Sequence, residues 1–242
     1  MYNERIAKVR TLMTDKDIDV FFLGPSSDMF YMTGYGVKAD KRLLLLVLPK
    51  TTGKAFIIAN LLYKEQINSI AAAPLIDDFV FWKDGEDPFA LLKSEVEKRG
   101  IPLKRAALEA SIPALFTLPL SRSFPGTDFV LGSTLTEPLR QYKDEAELEI
   151  IRRACAASDH ALAAMFGEAA GASNASASGD AAAAHNAASS RSAARWLGKS
   201  EAEFYAALQA EFSSRGLTQF GAGIAVGANA AVPHHVPGAA KI

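Results

Sequence analysis

Residues 43–48 read LLLLVL and residues 54–59 read KAFIIA, with PKTTG at positions 49–53 between them. Short apolar runs of this kind, bounded by Pro and Gly, are typical of buried strands. The connecting segment has the composition of a hairpin loop, which favours antiparallel pairing of the two runs. A buried β-sheet is therefore predicted for this part of the chain.

The segments around this hairpin alternate between helical and strand patterns. The order is a helix with apolar positions Ile6, Val9, Leu12 and Met13, a strand at 19–24, a short helix capped within 26–28 and ended at 34–36, a strand at 79–82, a helix at 88–98, a strand at 105–109, a helix at 113–120 and a strand at 128–131. This is mixed α/β alternation. We assign it to a first domain, residues 1–139, and expect that domain to fold independently.

Composition narrows the possible partners and compartments. The 242 residues carry 26 Lys and Arg against 27 Asp and Glu, a formal charge of −1, which gives no field for attracting nucleic acid or anionic lipid. No apolar run approaches the roughly 18 residues of a membrane span. Cys155 is the single cysteine and the start of the chain has no secretory pattern, so a cytoplasmic protein is expected.

A second region, residues 140–242, begins with a capping-box pattern formed by Asp144 and Glu147. The long helix that follows has its apolar stripe at Leu148, Ile151, Cys155, Leu162, Met165 and Phe166. We interpret Cys155 as a core residue, because no basic neighbour or second cysteine is available to activate it. Residues 167–195 are dominated by Ala and Ser and contain no large apolar side chain, so we expect a disordered, dispensable insertion in which His185 has no role.

Order is expected to return at Trp196. Ser200 and Glu203 form a second capping box, and Phe204, Leu208 and Phe212 make the stripe of a helix that ends at Gly216. A strand is predicted at 220–226 and an irregular loop at 227–237.

The chemistry of the second region is expected in that loop. His234 and His235 lie there between Pro233 and Pro237, and each proline disfavours helical geometry in the residue before it. The two imidazoles are therefore interpreted as a presented site, although a metal centre needs more ligands than two.

Residues 220–234, FGAGIAVGANAAVPH, resemble the strand and histidine loop of Xaa-Pro dipeptidases in the prolidase and creatinase family. Residues 26–36, SSDMFYMTGYG, are similar to the amino-terminal signature of that family. RQYKDEAEL at 140–148 resembles the interdomain segment, and GKSE at 198–201 matches the start of the second catalytic-domain helix. The marks occur in the family's order along the chain.

The resemblance implies a creatinase-like amino-terminal domain of the ribonuclease-H-like α/β type, followed by an incomplete α+β pita-bread domain. In the family, two divalent ions, commonly Mn, Co or Zn, share a water that attacks the bond preceding proline. A histidine matching His234 holds the substrate and stabilises the tetrahedral intermediate. The aromatic matching Phe220 lines the proline pocket or merely closes the sheet, while His235 occupies a variable position. A homodimer and a proline-containing peptide substrate are expected for a full-length member.

The chain departs from the family pattern in its metal ligands. The family uses two aspartates, one histidine and two glutamates after the histidine loop, and none has a counterpart before Ile242. The acidic group at Asp84, Glu86 and Asp87 lies in the first domain and is expected to be solvated. No metal ligand is therefore assigned, and the chain is expected to be an inactive, truncated peptidase. The alternatives are a creatinase-like, metal-independent C–N hydrolase and a noncatalytic binding or dimerisation module.

Overall fold

The structure is a computed structural model. The chain divides into two compact units, Met1–Tyr142 and Lys143–Ile242. The structure describes residues 2–38, 40–51, 55–68, 76–166, 194–218 and 221–242. Phe220, His185 and the expected insertion, apart from its last two residues, lie outside the described residues.

The first unit contains six α-helices and six strands among the residues described, with a 3-10 turn at Leu61–Tyr63 before the third helix. The helices are α1 (Tyr2–Asp15), α2 (Ser27–Thr33), α3 (Lys64–Asn68), α4 (Pro88–Lys98), α5 (Ala114–Ser123) and α6 (Ser133–Gln141). The strands are β1 (Val20–Leu23), β2 (Leu44–Pro49), β3 (Ala55–Asn60), β4 (Ile76–Trp82), β5 (Arg105–Leu108) and β6 (Asp128–Leu131). The helices and strands predicted for this region are confirmed, and α3 and α6 are additional.

The strands form one mixed sheet in the order β4-β3-β2-β1-β5-β6. The predicted hairpin is confirmed, since β2 pairs antiparallel with β3 through partners such as Leu46 and Ile57. β1 pairs antiparallel with β2 and parallel with β5, while β3–β4 and β5–β6 are parallel. Parallel pairs need crossover connections, which the helices of the alternating pattern supply.

The central strands are buried on both faces, which explains their continuous apolar sequences. Along β2, Leu44, Leu46 and Leu48 contribute to one core cluster, whereas Leu45 and Val47 contribute to another. The first cluster is completed by apolar side chains from α1, α2, α3 and α6, namely Ile6, Val9, Met13, Met29, Met32, Ile67 and Leu135. The second is completed by side chains from α4 and α5, namely Leu92, Val96, Phe116 and Leu120. The first unit therefore has three layers, with helices on both sides of the sheet.

Helix α2 begins and ends on the residues expected from its sequence. Ser26 is the N-cap and its side chain accepts a hydrogen bond from the amide of Met29, while Gly34 ends the helix with a φ of 75°. A side chain at Gly34 would collide with Tyr2, whose hydroxyl would lie 2.6 Å from the added carbon. Both the positive φ and the lack of space therefore require glycine here.

Helix α6 was not predicted because its local signals are weak. Its N-cap, Gly132, makes no side-chain capping bond, and Pro138 lies inside the helix. Tertiary contacts hold it instead: Leu135 is fully buried, and Thr136 donates a hydrogen bond of 2.6 Å to the carboxylate of Asp28. Arg140 donates to the other oxygen of the same carboxylate. A buried acidic group on α2 thus fixes the position of α6.

The second unit is built around two helices, α7 (Glu145–Phe166) and α8 (Glu201–Ser214). Both predicted capping boxes are confirmed. At α7 the amide of Glu147 donates to Asp144 at 2.9 Å and the amide of Asp144 donates to Glu147 at 3.0 Å. At α8, Ser200 and Glu203 exchange the same pair of bonds.

The buried stripe predicted for α7 is wrong along most of the helix. Cys155 is exposed, and Ile151 is 44% exposed, whereas Ala161 and Met165 are buried. Within the described part of this unit, the core cluster contains the last turns of α7 and the α8 residues Phe204, Leu208 and Phe212. Leu162 and Phe166, also assigned to the stripe, are 42% and 38% exposed, so only Met165 of the predicted set is buried.

Arg195 was predicted to be the last residue of a disordered insertion, but the structure places it in a regular turn. Ala194–Trp196 form a 3-10 turn, and Arg195 donates to the carbonyls of Ala164 and Met165 at 2.8 and 2.6 Å. The indole of Trp196 also donates to Met165 O at 2.8 Å. These bonds engage carbonyls in the last turn of α7 and attach Ala194–Trp196 to that end of the helix.

The strand predicted at 220–226 is also wrong for its described residues. Residues 221–226 have no regular structure. A strand requires a hydrogen-bonded neighbour, and none is present in the described part of the second unit. The amide of Val226 instead donates to a side chain of α8.

The role of Arg140 gives a stability prediction for a protein consisting of residues 1–142. We expect it to unfold cooperatively, and Arg140→Met to lower its free energy of unfolding by about 1–2 kcal/mol, because Asp28 then loses its cation. This loss of stability is smaller than the loss expected on breaking a fully buried ion pair, because 42% of the Arg140 side chain is exposed.

Urea denaturation followed by circular dichroism measures this difference. Arg122→Met, at an exposed position on α5, is the matched control and should change stability by less than about 0.5 kcal/mol. Equal stability of the two variants would show that the Asp28–Arg140 pair does not hold α6.

Candidate functional site

Residues 227–237, here called the histidine loop, are the part of the second unit in which the sequence predicts chemistry. The loop begins with a 3-10 turn at Gly227–Ala231 and continues without regular structure. His234 has a φ of 58°, in the left-handed region that residues other than glycine rarely adopt. Its side chain is exposed. The expectation of an irregular loop is met, and it presents one of the two histidines to solvent.

One carboxylate, that of Glu201, holds the histidine loop. Its Oε1 accepts hydrogen bonds from Val226 N at 2.8 Å and Asn229 Nδ2 at 3.0 Å. Its Oε2 accepts from Gly238 N at 3.0 Å and His235 Nε2 at 2.8 Å. Glu201 has no exposed surface. A buried carboxylate is tolerated only when its oxygens are well bonded, and here each oxygen has two donors.

These contacts favour the ionised form of Glu201. The bond from His235, followed by those from Asn229 and Gly238, lowers the pKa of the carboxyl from 4.5 to about 2. Glu201 is also the first residue of α8, where the positive end of the helix dipole stabilises an anion.

A short stretch after the loop is bonded to the same helix start. Gly238 O and Ala240 O accept from the amides of Ala202 and Glu201 at 3.0 and 2.9 Å. Further along, Ile242 N donates to Lys199 O at 2.9 Å. The first amides of α8 therefore find backbone acceptors, and the exit of the histidine loop is fixed to the helix that carries Glu201.

The two adjacent histidines have different environments. His235 is partly buried, with 19% of its side chain exposed, and its Nε2 is engaged by Glu201. His234, on the other hand, is exposed and available. The sequence assigned His235 only to a variable position, whereas the structure gives it a bonded partner. The other proposed substrate-binding residue, Phe220, lies outside the described residues.

An open apolar cavity of about 420 Å³ lies next to the start of the loop in the second unit. Its lining includes Trp196, Phe204, Ile224 and Val226. Trp196 and Phe204 meet edge to face with their ring centres 4.6 Å apart. The volume lies within the range of small-ligand sites, and the lining is almost wholly apolar.

The residues described do not form a metal centre. Among them, no three His, Cys, Asp or Glu side chains lie close enough to hold an ion. The acidic group in the first unit serves local structure: Asp84 bonds to Arg42 and Asn60, Glu86 accepts from an amide, and Asp87 caps α4. The described donor set therefore does not fit the two-metal site of the family it resembles.

A family model described as the creatinase/prolidase N-terminal domain matches residues 5–142. The chain belongs to the creatinase/prolidase family. The matched region coincides with the α/β unit, so its mixed sheet is a creatinase-like amino-terminal domain.

Curated relatives and solved structures of the creatinase/prolidase family agree with this assignment. A probable dipeptidase PepE of Mycobacterium tuberculosis is 31% identical over 159 residues, which cover 66% of this chain and 41% of the relative. The crystal structure of dipeptidase PepE from Mycobacterium ulcerans matches with a TM-score of 0.75 and 23% identity, covering all of this chain and 57% of that one. The crystal structure of a prolidase from Thermococcus sibiricus matches with a TM-score of 0.77 and 22% identity. The match covers 100% of this chain and 58% of that one.

These comparisons support two statements at different levels. The chain is similar to dipeptidases of the creatinase/prolidase family and shares the fold of their solved structures. It spans about half the length of the relatives it matches.

None of the helices in the described ranges is long and apolar enough to cross a membrane.

The low pKa of Glu201 predicts how the histidine loop responds to acid. The pKa of Glu201 in the folded protein lies below its ordinary value. The ionised carboxylate therefore contributes fully to the stability of the fold above pH 4.5, and this contribution declines as the pH falls toward about 2. A ¹³C titration of the Glu201 carboxyl measures the folded value. His235→Ala removes the largest cause of the shift and should raise the pKa toward 4.5. A midpoint near 4.5 in the unmodified protein would contradict the described contacts.

Proposed function

We propose that this chain carries the amino-terminal domain and the substrate-binding histidine loop of a peptidase that cleaves peptide bonds involving proline. The observation that carries the proposal is the exposed His234 on a loop fixed by a buried carboxylate. Membership of the creatinase/prolidase family and the 31% identity to a probable dipeptidase support this reaction class.

His234 is proposed to contact the substrate directly. A neutral or protonated imidazole N–H donates a hydrogen bond to a peptide carbonyl, and that bond strengthens as negative charge develops on the oxygen during attack. Fixing the donor in advance makes this stabilisation effective, because little reorganisation is then needed. His235 cannot do the same through Nε2, since that nitrogen is bonded to Glu201.

The substrate is proposed to be a proline-containing peptide, and Phe220 is proposed to contact the proline ring. A planar aromatic face offers a large apolar surface to the pyrrolidine ring. The apolar cavity beside Val226 and Ile224 supports binding of an apolar group at this end of the unit.

Cleavage by this chain alone is not proposed. In a full-length family member, two divalent ions such as Mn, Co or Zn would supply the attacking water. The residues after Phe220 contain no Asp or Glu, so this sequence offers no carboxylate there for such ions. We propose that the chain binds substrate weakly and does not hydrolyse it. We also propose that residues 140–242 form part of a pita-bread domain and that the full-length protein is a cytoplasmic homodimer.

The first test is binding. We expect a dipeptide ending in proline to shift the imidazole NMR resonances of His234, and His234→Ala to weaken the interaction about tenfold, the effect of losing one good hydrogen bond to the ligand. His160→Ala replaces an exposed histidine on α7 and is the matched control. Equal binding by both variants would remove His234 from the site.

The second test is hydrolysis of the same dipeptide with added manganese or cobalt. We expect no metal-dependent turnover, because two divalent ions need several carboxylate and imidazole ligands. Turnover that requires metal and is lost in His234→Ala would show that the chain holds a metal ion that the described residues do not reveal. Turnover unaffected by that substitution would indicate a contaminating enzyme.

A further inference from the structure

We propose that Glu201 is the positioning residue of the histidine loop, and that its carboxylate sets the direction in which His234 faces the substrate. The inference deepens the proposed function and rests on the role of His234 given there. Glu201 itself is buried and does not touch the substrate.

The distribution of the four hydrogen bonds carries the argument. The amides of Val226 and Gly238 lie immediately before and after the histidine loop, and they bond to opposite oxygens of Glu201. Asn229 and His235 bond from within the loop, one to each oxygen. Both ends and two interior points of the loop therefore converge on one side chain.

His235 transmits this restraint to its neighbour. Consecutive Cα atoms are about 3.8 Å apart, so fixing the ring and backbone of His235 restricts the backbone of His234. His234 has a positive φ of 58°, an unfavourable conformation that persists only where the surroundings impose it. The contact between His235 and Glu201 is one of the restraints that impose it.

The helix itself does not require these contacts. Glu203, two residues later, supplies the capping-box carboxylate that bonds the amide and hydroxyl of Ser200. A glutamate needed only at the helix start could remain exposed, as 47% of the Glu203 side chain does. Glu201 is instead fully buried beneath the loop, and all its side-chain bonds described above go to residues of the loop and its two flanks.

Replacing Glu201 by Gln is a discriminating change because it keeps the size of the side chain. An amide has one oxygen and one NH₂ group, and the backbone N–H groups of Val226 and Gly238 face opposite ends of the carboxylate. Either orientation of the amide therefore sets its NH₂ against a backbone donor. Glu203→Gln is the matched control, since glutamine also completes a capping box.

The experiment compares the unmodified chain, Glu201→Gln and Glu203→Gln by NMR. We expect Glu201→Gln to lower the hydrogen-exchange protection of the Val226 and Gly238 amides by at least about tenfold, since charge-assisted bonds are lost. The ¹⁵N shift of His235 Nε2 should change, while α8 amides beyond its first turn keep their protection. Affinity for a dipeptide ending in proline should fall about tenfold, as loss of His234 itself does. Glu203→Gln should leave the loop signals and the affinity unchanged.

The outcomes separate this inference from the proposed function. Unchanged loop protection in Glu201→Gln, or a released loop with unchanged dipeptide affinity, overturns the positioning role. If the unmodified chain binds no dipeptide, the proposed function fails, and the His234 resonances then decide the positioning role, which requires them to change in Glu201→Gln. If Glu201→Gln does not fold, His235→Ala replaces it, because this variant removes one of the four contacts to Glu201. The inference then requires the His234 resonances to change.

Discussion

A buried carboxylate must be surrounded by hydrogen-bond donors, and this requirement organises the candidate site. Glu201 cannot be removed from water at the start of α8 unless its two oxygens are bonded. The donors come from a segment more than twenty residues later in the chain. Its irregular backbone is an advantage, because amides that are not engaged in a helix or strand are free to bond a side chain. The absence of strand or α-helix at 221–237 and the burial of Glu201 are thus two aspects of one arrangement.

The first unit depends on a different constraint, the burial of its sheet on both faces. Each of the five residues from Leu44 to Leu48 in β2 faces one of two apolar clusters, so all five positions must be apolar. Helices therefore cover both faces, and the local polarity of each helix decides which stripe faces inward. The buried Asp28 is an exception to the apolar rule on this side, and it is satisfied by Thr136 and Arg140 of α6. In both units, one buried acid links segments that are distant in sequence.

The sequence was sufficient where the structural signal is local. The capping boxes at Asp144 and Ser200, the glycine at position 34 and the hairpin at 43–59 each depend on neighbouring residues, and each was predicted. The family was also recognised from short motifs, and the match to residues 5–142 confirms it.

Features that depend on distant contacts were predicted less well. Helix α6 was missed because Asp28 and the sheet hold it. Cys155 was assigned to a core that covers only the end of α7. Glu201 was included in a motif without a role, since nothing near it in sequence shows that it is buried. The flanking prolines pointed to His234 and His235 as a pair, and only the resemblance to the family singled out His234. The different environments of the two histidines arise from Glu201, which is distant in sequence.

The strand pairing of the sheet has a consequence for the order in which the first unit folds. β2 and β3 are neighbours in the chain as well as in the sheet, so they can meet after closing a short loop. β1, at the centre, must wait for β5, because Val20 pairs with Ala106 across most of the unit. Pairings between distant segments are entropically costly and slow folding. During synthesis, the apolar β1 therefore emerges well before its parallel partner, and its antiparallel neighbour β2 is the strand that can shield one of its edges in the meantime.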